Sequence, residues 1–288
     1  MGHEHASAAA AHRGRLAITL CLSSLILIAQ VIGGILSGSL ALLADAGHTL
    51  SDILGVSLAL LAIAWARRPA PESRTYGRYR VEVLAAVGNG VLLLLVCAYV
   101  LVESWRRWNE PAEISTTLML AVAAGAVLAN GIGLLILRQG AKESITVRGA
   151  YLEVLGDLLG SVGVVIAAIV IATTGWVRAD VVASVAIALL IIPRAIALLR
   201  DAWHVLAEGA PPGVDMAEVR DHMLGVPGVI DVHDLNAWVI TSGMPVLSAH
   251  VVVSEEVLAD RQGGRVLDAL GECLHDHFDV SHCTFQLE

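Results

Sequence analysis

The sequence predicts a bundle of six membrane-spanning helices followed by a small α+β domain, and three observations carry that prediction. Six apolar stretches, near 16–36, 39–65, 81–105, 114–137, 149–173 and 179–203, each approach or exceed the roughly 20 residues that a helix needs to cross a bilayer. Hydrophobic residues make up 56% of the 288 and charged residues only 16%, too apolar a balance for an ordinary soluble protein. The acidity is concentrated at the end: residues 209–288 hold thirteen acids against three arginines, whereas fourteen acids and fifteen bases share residues 1–208.

Residues 1–15 are small, polar and alanine-rich, with His3, His5 and His12 among them, and read as a flexible tail ahead of the first span. Residues 16–208 form the membrane domain. Arg67, Arg68, Arg74, Arg78 and Arg80 crowd the second connection, and Arg138, Lys142 and Arg148 crowd the fourth. Basic connections stay in the cytoplasm, so with six spans both termini are expected there too, in a multi-pass protein of the inner or plasma membrane. Gly-Ala-Pro-Pro-Gly at 209–213 then breaks the last helix and opens the second domain.

In residues 209–288, Val214–Leu224 reads as a helix. Strand-like runs at 229–240 and 246–253 flank a Thr-Ser-Gly-Met-Pro turn, and a helix from about Leu258 to His277 precedes a last strand at Val280–Leu287. This α-β-β-α-β order predicts a two-layer domain. Cys21, Cys97, Cys273 and Cys283 form no CxxC pair, which argues against a disulfide framework or a zinc ribbon.

Chemistry concentrates where charge is least expected. His48 and Asp52 in the second span, and Glu153 and Asp157 in the fifth, are each four residues apart, so each pair projects from one helix face. Charged groups in mid-bilayer face the bundle interior and have partners; the cluster contains no cationic side chain, and a divalent metal ion supplies the missing charge. One imidazole and three carboxylates suit zinc, and also manganese, cobalt or cadmium. Asp45, three residues before His48 and on nearly the same face, is expected to support the imidazole from behind or, as the alternative, to add a ligand. Among the six histidines of the acidic domain, His250 and His282 each lie in a strand-like run and are the candidate ligands of a second site. No HExxH segment is present, and a site closed by four ligands leaves no position for a catalytic water, so the chain reads as a transporter or a non-transporting membrane metal sensor, not an enzyme.

These residues resemble the cation diffusion facilitator family, in particular its bacterial cobalt-zinc-cadmium resistance branch, over nearly the whole chain. The resemblance rests on Ala44-Asp45-Ala46-Gly47-His48 through Asp52, on Tyr76-Gly77-Arg78-Tyr79-Arg80-Val81-Glu82, and on Gly149-Ala150-Tyr151 through Ser161. Val232-His233-Asp234-Leu235 and His282-Cys283-Thr284-Phe285-Gln286-Leu287 extend it into the second domain. It implies a homodimer with ferredoxin-like cytoplasmic domains that exports divalent metal, most simply Zn2+, in exchange for protons, with no nucleic-acid partner. It places the transport site on His48, Asp52, Glu153 and Asp157, a cytoplasmic metal site on His233, His250 and His282, and an ion pair between membrane and cytoplasmic parts on Arg80 and Glu208. Zinc-type members usually carry histidine where this chain has Glu153. Thr284 stands where a carboxylate ligand can occur, and Asn236 replaces a common histidine.

Overall fold

A computed structural model describes residues 13–66, 76, 79–142, 145–241, 243–259, 262–278, 280 and 282–288. The tail at residues 1–12 and the arginines at 67, 68, 74 and 78 lie outside the described residues, as do Ser242 of the expected turn and residues 279 and 281. The chain divides into two compact units, residues 1–58 with 88–198 and residues 59–87 with 199–288.

The six apolar stretches form six helices: α1 (Arg13–Ser37), α2 (Leu40–Ala66), α3 (Arg80–Asn109), α4 (Thr116–Leu137), α5 (Ile145–Thr174) and α6 (Arg178–Leu206). Among the described residues, α1 and α3 to α6 are long and apolar enough to cross a membrane by length and composition. The 27 residues of α2 reach about 40 Å at 1.5 Å per residue, and its apolar run is interrupted by Asp45, His48 and Asp52.

In the first unit, the buried face joins Leu40 and Leu42 of α2 to Leu93 of α3, Met119 of α4, Val164 and Ala168 of α5, and Ala188 and Ile191 of α6. Large apolar residues such as Leu95, Val102, Leu135 and Leu190 point outward, as expected where the surrounding solvent is lipid. Small residues set the closest approaches. A Cβ on Gly33 would lie 2.6 Å from a methyl of Val122, so α1 and α4 pack at a distance only glycine permits.

The start of α2 is fixed by α6. Asp180, fully buried, accepts hydrogen bonds from Ser39 Oγ at 2.6 Å, Leu40 N at 2.8 Å and Ala41 N at 3.2 Å. It thereby satisfies backbone N–H groups that a helix leaves unpaired at its N-terminus. Ser115 N donates to Ser37 O at 2.9 Å, and Arg107 donates to Gly38 O at 2.5 Å, which ties the α1–α2 turn to the α3–α4 connection.

In the second unit, α7 (Met216–Leu224) is capped by Asp215, whose carboxylate accepts from Ala217 N at 2.8 Å. β1 (Val229–Val239) pairs antiparallel with β2 (Pro245–Val253), and β2 pairs parallel with β3 (His282–Leu287). The parallel pair requires a crossover, supplied by α8 (Glu255–Ala259) and α9 (Gly263–Phe278). One helix was expected from about 258 to 277; two are found, and the second opens on the glycines at 263 and 264, poor helix formers. Val219, Met223, Leu247, Val251, Leu270 and Leu274 form the buried core between the helices and the sheet. The register of β1 shifts between His233 and Asn236, where Asp234 adopts a positive φ of 48°; such a bulge re-aims neighbouring side chains.

Candidate metal centre

One helical turn brings His48 and Asp52 onto a single face of α2, and α5 presents Asp157 to them. His48 Nε2 lies 3.9 Å from Asp52 Oδ2 and 3.8 Å from Asp157 Oδ1, and one ligand atom from each residue falls within 4.8 Å of the others. Donors bound tetrahedrally at about 2.0–2.2 Å sit roughly 3.3–3.6 Å apart, so a small contraction would complete the site around an ion. Asp52 Oδ2, Asp157 Oδ1 and His48 Nδ1 are buried without a hydrogen-bond partner. Such groups are costly to bury unpaired, and a cation bound at the two oxygens would remove much of that cost.

Glu153, one turn before Asp157, stands outside this group of three. Its Oε1 accepts from Arg194 Nη2 at 3.0 Å, and the same nitrogen lies 3.3 Å from Asp52 Oδ1. The expectation that the cluster has no cationic side chain is thus corrected: α6 supplies one. Arg194 follows Pro193 inside the sixth span. The available signal was an arginine well within an apolar stretch, which ordinarily marks a paired or functional charge.

Asp45 is 1% exposed and does not support the imidazole as expected. Its Oδ2 accepts from Gln30 Nε2 at 2.5 Å and Ser161 Oγ at 2.8 Å, so the carboxylate ties α2 to α1 and α5 while His48 Nδ1 stays unpaired. The physical reason is the approach of α5: a Cβ on Gly160 would lie 2.6 Å from Asp45 Oδ1, and glycine there lets the carboxylate reach Ser161. Gln30 and Asn89 are likewise held by interhelical hydrogen bonds, Gln30 through Asp45 and Thr49, Asn89 through Ser51.

In the sheet of the second unit, His233 and His250 face each other across β1 and β2 with ring centroids 5.2 Å apart. Glu288 joins them: Oε2 lies 3.3 Å from His233 Nε2, and Oε1 lies 2.9 Å from His250 Nδ1. These three residues are the other set of potential ligands that lies within 4.8 Å among the described residues. His282 is not brought to them. It pairs in register with Val246, whereas His250 pairs with Gln286, four residues along β3, and that spacing is about 13 Å in a strand. Glu288 takes the place expected of His282 because β3 runs parallel to β2 and its end, not its start, reaches the histidines. Burial raises the pKa of the Cys283 thiol, next to His282 at the start of β3, which keeps it in the protonated form that binds metal poorly.

Arg80 Nη2 and Glu208 Oε1 form an ion pair at 2.8 Å, with both side chains substantially exposed. Glu208 has a positive φ of 57°. Close by in sequence, Glu82 accepts from Thr241 Oγ1 at 2.6 Å, so the first turn of α3 is bonded both to the end of α6 and to the β1–β2 turn.

Residues 16–207 match the family model described as the cation efflux transmembrane domain, and residues 211–288 match the cation efflux protein, cytoplasmic domain. The chain belongs to the cation efflux family. It is 44% identical to the metal cation efflux system protein CzcD of Cupriavidus metallidurans, over all of this chain and 90% of that protein. Identity to the cadmium, cobalt and zinc/H(+)-K(+) antiporter of Bacillus velezensis is 38%, over all of this chain and 92% of that protein. Identity to zinc transporter ZitB of Escherichia coli is 39%, over 91% of this chain and 83% of that protein. The cation efflux protein described here is therefore a multi-pass membrane protein that exports metal cations and is not an enzyme.

Proposed function

We propose that this cation efflux protein is a zinc/proton antiporter that exports metal from the cytoplasm through the site formed by His48, Asp52 and Asp157, with Glu153 at its edge. The observation that carries this reading is the unpaired, buried state of the two carboxylate oxygens facing His48 Nε2. Metal ligands must be deprotonated to bind, so protons and metal compete for the same atoms, and a proton gradient can drive metal outward. Relatives named for zinc, and for cadmium, cobalt and zinc, support a divalent ion as cargo. The set of one nitrogen and several oxygens also admits manganese.

The test is flux. Purified protein in liposomes should move zinc against its gradient when a proton gradient is imposed, and an absence of proton-dependent movement overturns antiport. Glu153→His should raise the preference for zinc over manganese, because it places an imidazole at the edge of the site where the present carboxylate is taken by Arg194. Competitive uptake by one reconstituted sample reads this, and an unchanged ratio rejects position 153 as a selector.

In this reading the protein is a homodimer with both termini in the cytoplasm, where His233, His250 and Glu288 bind a regulatory ion that biases the dimer toward a transport-ready form. Zinc should raise the thermal midpoint of the full-length protein, and His250→Ala should reduce that rise. The effect of a ligand present at 100 times its dissociation constant is about 2.7 kcal/mol. An identical zinc response in His250→Ala would reject this second site.

A further inference from the structure

The pair formed by Glu153 and Arg194 resolves a charge excess in the transport site. His48 is neutral when it ligates a metal, so Asp52 and Asp157 alone carry the charge that one divalent ion cancels. Glu153 is a third carboxylate beside them, one helical turn before Asp157 on α5. Among the described residues one guanidinium faces it: Arg194 Nη2 is 3.0 Å from Glu153 Oε1 and 3.3 Å from Asp52 Oδ1.

The atoms involved separate the two tasks. Arg194 meets Asp52 through Oδ1, whereas the oxygen that faces His48 is Oδ2, which has no hydrogen-bond partner. The arginine therefore leaves the His48, Asp52 and Asp157 donor atoms free while it offsets the additional charge. Arginine suits this task because it stays charged, and one nitrogen, Nη2, meets both carboxylates.

We propose that Arg194 is the charge-compensating residue of the transport site, a positioning residue paired with Glu153 that lets a site with three carboxylates carry a single divalent cation. The proposal rests on the reading of His48, Asp52 and Asp157 as the metal site. Glu153 then serves as the anchor of Arg194, and the pair together takes the electrostatic place of one neutral ligand.

The effect of each change has a definite sign. Arg194→Gln removes the compensating cation and makes the site more negative, so zinc affinity of the full-length protein should tighten by about tenfold. Glu153→Gln leaves the guanidinium uncompensated beside the incoming ion, so affinity should weaken by a similar factor. The double variant restores the original net charge and should return close to the parent. Arg194→Lys keeps the charge and should also stay near the parent.

Competition with a fluorescent zinc chelator at one fixed pH measures all four variants. Zinc flux into liposomes is followed in parallel. Single variants that shift affinity in the same direction, a double variant at least as impaired as the worse single, or an Arg194→Lys that behaves like Arg194→Gln would each overturn the proposal. Shifts of opposite sign that cancel support it, even where the parent shows no flux; that last result would strike transport and leave the pairing intact.

Discussion

Asp157→Ala should abolish zinc flux and weaken zinc binding at the transport site at least about 100-fold, or roughly 3 kcal/mol. Asp157 is 4% exposed and supplies from α5 the oxygen that lies 3.8 Å from His48 Nε2. With alanine there, the two residues left are His48 and Asp52, both on α2, and no ligand of the group of three bridges to the other helix. Binding could then no longer report on, or drive, a movement of α5 against α2, so the loss in transport should exceed the loss in affinity. Flux from liposomes and chelator competition on the same sample separate the two effects. Flux equal to that of the parent would reject the site.

Asp180→Ala should have the largest effect on stability among changes away from the metal site. Its carboxylate is fully buried and accepts from Ser39 Oγ, Leu40 N and Ala41 N at the start of α2. Hydrogen bonds to a charged group contribute about 1.5–3 kcal/mol, and the helix N-terminus adds a favourable interaction with negative charge. Alanine would leave two buried backbone N–H groups without their acceptor. We expect a loss of about 3–5 kcal/mol, seen as a thermal midpoint lower by roughly 5–10 °C in tryptophan fluorescence. Asp180→Asn keeps one acceptor oxygen and should lose less. An unchanged midpoint in Asp180→Ala would show that α2 is held by packing alone.

Much of the architecture was legible because its signals are local. Apolar runs of spanning length placed all six long helices, and alternation in Val246–Val253 with the turn before it placed the β1–β2 hairpin. The four-residue spacing of His48 and Asp52 placed two ligand candidates on one face, since helix geometry alone dictates that.

Partnerships across the bundle were not legible, because spacing along one helix says nothing about which face another helix presents. Asp45 shares a face with His48, yet α5 approaches closely enough at Gly160 for Ser161 to take its carboxylate. Glu153 shares a face with Asp157, yet α6 delivers Arg194 to it. In the sheet, His282 lost its expected role to Glu288 through register, which pairs His250 with Gln286 and not with the start of β3.

What the sequence determined by itself was the bilayer-spanning fold, the small domain after it, and the helix faces that carry His48, Asp52 and Asp157. These follow from hydrophobic length and from periods of 3.6 and 2.0 residues, which are properties of a single segment. Only the tertiary structure decided the charge balance of the candidate metal site and the third member of the sheet cluster. Electrostatic pairing depends on distance in space, and the contacts of Arg194 and of Glu288 join residues 38 or more positions apart in the chain.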